Sequence, residues 1–574
     1  MITSKKSLQK MHPYIPPTKN RIGKIKMDFN ENAFGCSPKV IGALKKINID
    51  DLSVYPAYSN FIKKLSSYLG VENCQIILTN GGEEAINTIF NTYLEKNDQI
   101  IIPTPTFALF KIYADAIGLN VKQINYKKTN KGFIFPLKNV LNAICKKTKL
   151  IVIVNPNNPT GTYIEQKNII KIIKKARQNN SIVLIDEAYW QFCGKTSKEL
   201  INIYDNIFVI QTFSKAFGLA GLRLGYIISD KYNIKNIAKA ISPYSVNNLA
   251  VIAASAALDD IEFVNKSIKQ VNKNKKILTN ELKKLKIKTY CSSANFLIAD
   301  FGFNCTRVFG QLKNKNILLR NVSAAPILKN CLRITIGTQK QTKILIKELK
   351  KILNPQAIIF DMDGVLIDVS QSYHLAIKKT IEYFGKKISF RQIQKYKQMG
   401  GTNDDYDLLE KYLFNKGFKI EKTKIIDIFD KLFIKNNLID NEKLLIGKNL
   451  LAKLKQKYKL AIFTGRPKKD VDCTLKKFDL LDLFDFVVSK EDVLGKLKPN
   501  PFGLKLAIEK LKTDSCVYIG DNIDDCICGK KAGIETIAVI DKKITNYNDF
   551  KSKIENFGVS LIIENINNIK DVLK

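Results

Sequence analysis

At 574 residues the chain exceeds what one hydrophobic core holds, and roughly one domain per 150 residues suggests about four compact units, so two large modules, each with a subdomain, would fit. Apolar residues at 45% and charged residues at 25% are ordinary for a globular protein and argue against wholesale disorder. The formal charge of +40 invites a nucleic-acid reading, but only eight of the 93 basic residues are arginine, and lysines such as Lys273, Lys275 and Lys276 scatter along helical patterns as solvated faces do.

Where arginine persists against such a lysine bias, a planar bidentate anion contact is favoured. The eleven cysteines include no CxxC pair, and the CxC of Cys526 and Cys528 reads as helix filling. The opening MITSKKSLQKMHPY has no apolar signal core, and no apolar run approaches the ~20 residues needed to cross a bilayer. A cytoplasmic protein is expected, with neither nucleic acid nor membrane as partner. His12 and His374 are the only histidines, which argues against serine–histidine hydrolysis and histidine-ligated metalloprotease chemistry. Catalysis then falls to Lys, Asp, Tyr or a cofactor.

Along the chain, short apolar runs ending in polar or glycine-rich turns alternate with longer segments of helical period. This predicts buried parallel strands with their chemistry at the C-terminal ends, an α/β fold. TNGGEE, residues 79–84, reads as a strand end turning into a helix N-terminus, whose free amides suit a phosphate. Phe107 in PTPTFALF offers a flat face for a cofactor ring. In IDEAYW, Asp186 closes a buried strand, where a carboxylate can hold a pyridine nitrogen protonated and make the ring an electron sink. Tyr189, and Asn158 of NPNNPTG, can reach the phenolic oxygen of such a ring. In TFSKAFGLAGLRLGY, Lys215 has Thr212, Ser214 and Arg223 nearby, the hydroxyls and bidentate cation that would anchor a cofactor phosphate beside a Schiff-base lysine. The lysine-rich helix ending near 353, followed by Asn354-Pro355, marks a boundary between modules 1–353 and 354–574.

Together DFNENAFGCSP, YPAY, GGEE, PTFALF, NPNNPTGT, IDEAYW, FSKAFGLAGLRLGY and LRITIGT resemble the fold-type I aminotransferases of the class I/II family, most closely the histidinol-phosphate aminotransferases, in order from about residue 10 to 350. The resemblance implies a large α/β domain plus a small α+β domain, with pyridoxal 5'-phosphate as cofactor and Lys215 as Schiff base and proton shuttle. It implies Asp186, Tyr189, Asn158, Ser214, Arg223 and the amides of Gly82 and Glu83 as cofactor ligands. It also implies a homodimer in which the tyrosine matching Tyr55 reaches the neighbouring subunit's cofactor phosphate. Arg333 of LRITIGT matches an arginine that binds a substrate anion, Arg320 matches a second, and Tyr14 matches an aromatic residue of the same pocket. Phe107 stands where the family usually has tyrosine, so stacking survives and a hydroxyl contact is lost. The same motifs occur in threonine-phosphate decarboxylases and some aromatic aminotransferases, which stay open as alternatives.

Beyond the boundary, AIIFDMDGVLID puts Asp361 and Asp363 two residues apart at a strand end, where alternation brings both side chains to one face and a cation must offset their repulsion. Thr464 in FTGRP, Lys498 in KPNP, and Asp521, Asp524 and Asp525 in IGDNIDD follow. The set combines a nucleophile, an acid/base, groups for a transferring phosphoryl and acidic ligands for magnesium. It resembles the haloacid dehalogenase superfamily of phosphatases over 357 to about 545, which implies a Rossmannoid core with a helical cap over about 370–450. On that resemblance Asp361 attacks phosphorus, Asp363 protonates the leaving alcohol and later activates water, and Thr464 and Lys498 hold the phosphoryl group. Mg2+ is bound by Asp361, the backbone carbonyl of Asp363, and Asp521, with Asp525 a better match than Asp524 for the supporting acid. Residues 399–407, MGGTNDDYD, read either as a specificity loop of the cap or as an ordinary glycine turn and helix cap.

The two modules fit consecutive steps, with glutamate-dependent amination of imidazole acetol phosphate followed by dephosphorylation of histidinol phosphate. Alternatives are another small phosphate ester such as phosphoglycolate for the second module, or a regulatory or nucleic-acid-binding protein built on a decayed enzyme core.

Overall fold

The computed structural model describes residues 2–400, 404–513, 515–544, 546–557 and 559–573, the Phe303 side chain apart. Residues 401–403 of the expected cap loop therefore lie outside the described residues. The chain divides into two compact units, Met1–Cys305 with Leu312–Ile346, and Thr306–Gln311 with Lys347–Lys574.

The first unit is built on a seven-stranded sheet in the order Ile76–Thr79, Gly225–Ser229, Ile207–Thr212, Ile182–Asp186, Thr148–Val154, Gln99–Thr104, Asn120–Asn125. Gly225–Ser229 runs antiparallel to both neighbours, and the remaining pairs are parallel. The central strands are runs of β-branched residues, TKLIVIV and IVLID, with Leu150 to Ile153 and Val183 to Ile185 fully buried, as strands covered on both faces must be. The register sets the strand ends level: Val154 lies opposite Asp186, and Asp186 opposite Ile210. Beyond them the Asn155 amide donates to the Asp186 carbonyl and the Glu187 amide to that of Ile210, so the loops carrying Asn158, Tyr189 and Lys215 leave the sheet side by side. A second, mixed five-stranded sheet completes the unit in the order Ile25–Met27, Ile317–Asn321, Cys331–Thr335, Phe296–Asp300, Lys288–Tyr290.

The second unit has a six-stranded, all-parallel sheet in the order Phe486–Val488, Lys459–Phe463, Ala357–Phe360, Cys516–Gly520, Glu535–Val539, Leu561–Ile563. After Ala357–Phe360 the chain forms a short ribbon, Ile367–Asp368 paired with Lys443–Leu444. Between those two strands lie the cap helices Tyr373–Tyr383, Phe390–Lys397, Asp405–Asn415 and Lys422–Lys435. Leu408, Leu409, Ile425 and Phe429 from these helices join one apolar core with Ile377 and Ile381. Cys526 and Cys528 are buried in the helix Ile523–Ala532, and all eleven cysteines are free. Among the described residues, no helix is long and apolar enough to cross a membrane.

Candidate active sites

In the first unit, Lys215 follows the strand Ile207–Thr212 and turns its Nζ to the Phe29 carbonyl at 3.0 Å, 5.9 Å from the centroid of the Tyr189 ring. Burial and the nearby Arg333 guanidinium lower its pKa to about 8, so an appreciable fraction is a neutral amine near neutrality. Asp186, 7% exposed, accepts the Ala188 amide at 3.0 Å. Desolvation raises its pKa to about 6, against the pull of that amide and of Lys215. The Tyr189 hydroxyl accepts from Asn30 Nδ2 at 2.9 Å.

Arg333 points into the same space. Its Nη1 donates to Asn158 Oδ1 at 2.6 Å and its Nη2 to the Asp28 carbonyl at 2.5 Å, while its buried Nε has no partner among the described residues. Directly opposite it, across the antiparallel pair of strands, stands Arg320, whose Nη2 donates to the Tyr14 hydroxyl at 3.3 Å. Two guanidiniums facing each other on one sheet surface repel, and an anion between them would relieve that repulsion.

A third cluster gathers at the start of the helix Gly81–Tyr93. The Thr212 hydroxyl donates to Ser214 Oγ at 2.9 Å, and Arg223 Nη2 pairs with Glu83 at 3.1 Å. Gly81 has φ +78°, a conformation that favours glycine, and a Cβ there would lie 2.5 Å from Arg223 Nη2, so the guanidinium tip would have to shift from the helix start. Arg223 itself adopts a left-handed φ of +56°, an uncommon conformation for a long side chain. The amides of Gly82 and Glu83 belong to the first turn of this helix, which has no side-chain cap.

Phe107 stands half-buried after its strand, edge-on to Phe110 at 6.4 Å. Tyr55 is exposed and stacked on Tyr244 at 4.3 Å. Asn30 lies in the quoted DFNENAFGCSP, whose single residues were given no role, and Arg21 precedes that motif. Arg21 pairs with Asp28 at 2.6 Å and Glu31 at 2.7 Å and sits 4.1 Å from the Phe29 ring centroid, while Asn30 also bonds Thr335. The rarity of arginine was the available signal for Arg21.

In the second unit, a cavity of about 680 Å³ lies between the sheet's C-terminal edge and the cap helices, lined by Asp361, Asp363, Thr464, Lys498 and Asp521. Lys498 Nζ bridges Asp361 at 2.8 Å and Asp525 at 2.9 Å. Asp525 further accepts the Tyr518 hydroxyl at 2.6 Å and the Asp521 amide at 3.1 Å, so it is fully engaged. Oxygens of Asp361, Asp521 and Asp525 lie within 4.8 Å of one another. Burial, with the neighbouring carboxylates, pushes Asp361 well up and Asp521 up to about 7, a crowding that a hard cation would relieve. A Cβ on Gly364, at φ +72°, would collide with the Asp521 carboxylate, so glycine lets the two loops meet. The side chain of Asp363 stands apart from the three carboxylates and accepts from Arg466 Nε at 2.5 Å. Asp524 is buried on the helix that follows.

Two chemistries therefore share one polypeptide, and the protein is an enzyme with an aminotransferase unit and a hydrolase unit. Residues 22–349 match the model of the aminotransferase class I and II family, and residues 358–539 that of the haloacid dehalogenase-like hydrolases. The chain belongs to the class I and II aminotransferases and carries a haloacid dehalogenase-like hydrolase domain after the aminotransferase. It is 36% identical over 353 residues to a histidinol-phosphate aminotransferase of Pelagibacter ubique, a match covering 59% of this chain and 96% of that protein. A Methanocaldococcus jannaschii histidinol-phosphate aminotransferase is 33% identical, with 60% and 96% covered. Among solved structures, a putative histidinol-phosphate aminotransferase of Erwinia carotovora atroseptica superposes with a TM-score of 0.53 at 26% identity, covering 57% of this chain and 95% of that one. The Sinorhizobium meliloti enzyme in complex with pyridoxal-5'-phosphate shares the fold at 20% identity and a TM-score of 0.55, with 60% and 96% covered. The expected fold-type I architecture followed by a haloacid dehalogenase domain is thus the observed one.

Proposed function

We propose that the first unit moves the amino group of glutamate to imidazole acetol phosphate and that the second removes phosphate from the histidinol phosphate so formed. The observation that carries this reading is the cross-strand pair Arg320 and Arg333, with Tyr14, facing the space beside Lys215. Such a pair suits the phosphate of one substrate and the carboxylates of the other.

Pyridoxal phosphate, when bound, supplies the electron sink for loss of the α proton. Asp186 would hold the ring nitrogen protonated, and that cation would offset the burial that raises its carboxyl to about 6. Tyr189 and Asn158 would hold the ring's phenolic oxygen, and Phe107 would cover its face. Thr212, Ser214, Arg223 and the amides of Gly82 and Glu83 would take the phosphate, and the glycine at 81 leaves room for that approach. Lys215, its pKa lowered to about 8, would be suited to take the α proton and to give it back on the far side of the imine nitrogen.

In the second unit Asp361 attacks phosphorus. The bond to the leaving oxygen breaks with its electron pair, and Asp363 supplies the proton. Asp363 then takes a proton from water, the water oxygen bonds phosphorus, and the Asp361–phosphorus bond breaks to restore the carboxylate. Thr464 and Lys498 hold the phosphoryl oxygens. Asp361, Asp521 and the Asp363 carbonyl would hold Mg2+, which would offset the charge of the bound phosphate, while Asp525 fixes Lys498.

A second copy of the chain covers the exposed stretch of Ile49, Leu52, Val54, Tyr55 and Tyr244 in this reading, bringing Tyr55 to the neighbour's phosphate site. Cytoplasmic residence fits free cysteines and small anionic substrates. Fusion raises the effective concentration of the intermediate at the second site. The test supplies the full chain with glutamate, imidazole acetol phosphate, pyridoxal phosphate and magnesium. Histidinol and inorganic phosphate should appear together, and Asp361→Asn should stop at histidinol phosphate. A wild type that also stops there refutes the assigned phosphatase substrate.

A further inference from the structure

The steps above leave unused the arginine of FTGRP. Arg466 is 2% exposed and sits on the wall of the hydrolase cavity. Its Nε donates to Asp363 Oδ1 at 2.5 Å, its Nη1 to Thr474 Oγ1 at 3.0 Å, and its Nη2 pairs with Glu442 at 2.8 Å. The Tyr373 ring packs against the guanidinium, 4.8 Å from centroid to Cζ. Among the described residues, no other group hydrogen-bonds the Asp363 side chain, which is otherwise open to the cavity.

Glu442 extends the contact. Its side chain is fully buried and accepts the Thr474 hydroxyl at 2.7 Å and the Ser372 hydroxyl at 3.4 Å. Ser372 immediately precedes the first cap helix, Tyr373–Tyr383, and Glu442 immediately precedes the returning strand Lys443–Leu444. One guanidinium therefore ties the acid/base to both segments that join the cap to the sheet. A planar fork hydrogen-bonded on two sides and ion-paired on the third is held in one orientation, and it transmits that orientation to the carboxylate it holds.

We propose that Arg466 is the positioning residue for Asp363, aiming its carboxyl at the leaving oxygen and, through Glu442, linking that aim to the placement of the cap. This rests on the reading of Asp361 as phosphoryl acceptor and Asp363 as acid/base.

The test is a leaving-group series, from p-nitrophenyl to phenyl phosphate, hydrolysed by the full chain with magnesium. kcat/KM reports transfer to Asp361, and a poor leaving group needs the proton of Asp363 while p-nitrophenolate barely does. Arg466→Met should lose about 10²-fold on phenyl phosphate and less than about tenfold on p-nitrophenyl phosphate, as a general acid contribution of about 10²–10⁴ allows. In an Asp363→Asn background the same change should add almost nothing, because two residues acting as a unit are non-additive. Glu442→Gln should show the same leaving-group dependence in weaker form. Arg466→Lys, which keeps the charge in the same pocket, carries the test should the methionine variant lose its circular dichroism spectrum. An equal loss across the series, or a full additional loss in the Asp363→Asn background, overturns the proposal. A wild type inactive on every ester would refute the phosphatase reading itself, and this proposal with it.

Discussion

Replacing Asp186 by asparagine should stabilise the cofactor-free chain while crippling it. Burial raises the Asp186 carboxyl from 3.8 to about 6, so keeping it ionised in the fold costs about 3 kcal/mol at pH 7, at 1.36 kcal/mol for each pH unit. The sign follows from proton binding: the folded state holds the extra proton between pH 3.8 and about 6, so this group's contribution is most favourable at low pH and is lost as pH rises through 6. Asp186→Asn removes the cost without changing shape. Its stabilisation should be about 1–2 kcal/mol larger at pH 8 than at pH 5. The single tryptophan, Trp190, lies four residues from Asp186, so its fluorescence in urea reports this unit and not the hydrolase unit. Transamination should fall about 10²–10³-fold, the usual scale for removing a preorganised electrostatic partner. A variant less stable than wild type at pH 8, or one whose stability difference is the same at both pH values, would refute the reasoning.

Lys498→Met should leave Asp361 and Asp525 facing each other without their cation. Breaking a buried pair in this way costs about 3–5 kcal/mol, read as faster hydrogen exchange in Cys516–Gly520, together with loss of phosphate release. Arg333→Lys removes the planar contacts to Asn158 and the Asp28 carbonyl. kcat/KM for transamination should drop about 10–100-fold, the scale of a lost charged hydrogen bond. Leu52→Asp puts a charge into the exposed apolar stretch and should shift sedimentation from dimer to monomer, with transamination lost alongside.

The alternating apolar runs, their turns and the motif order located the seven-stranded and six-stranded sheets, because strands buried on two faces write themselves as unbroken β-branched segments such as TKLIVIV. Strand-end chemistry was legible for the same reason: Asp186 and Asp361 each stand at the end of such a run. The roles of Asn30 and Asn295 were not, since they arise from contacts between segments far apart in sequence. Asn295, for example, donates to the Asn30 carbonyl 265 positions away. Arg466 lay inside a quoted motif and was passed over, although the bias toward lysine made each surviving arginine informative. Its partner Glu442 belongs to no motif, and only the crossing of the chain between sheet and cap helices brings it near.

One amine among 85 lysines, the 93 basic residues less eight arginines, must react unlike the other 84. Borohydride reduction of the full chain at pH 8 with one equivalent of pyridoxal phosphate, followed by peptide mass spectrometry, measures this directly. A single, near-stoichiometric adduct on Lys215 is predicted, absent in Lys215→Ala. Adducts spread over surface lysines, with Lys215 unmodified, would contradict it.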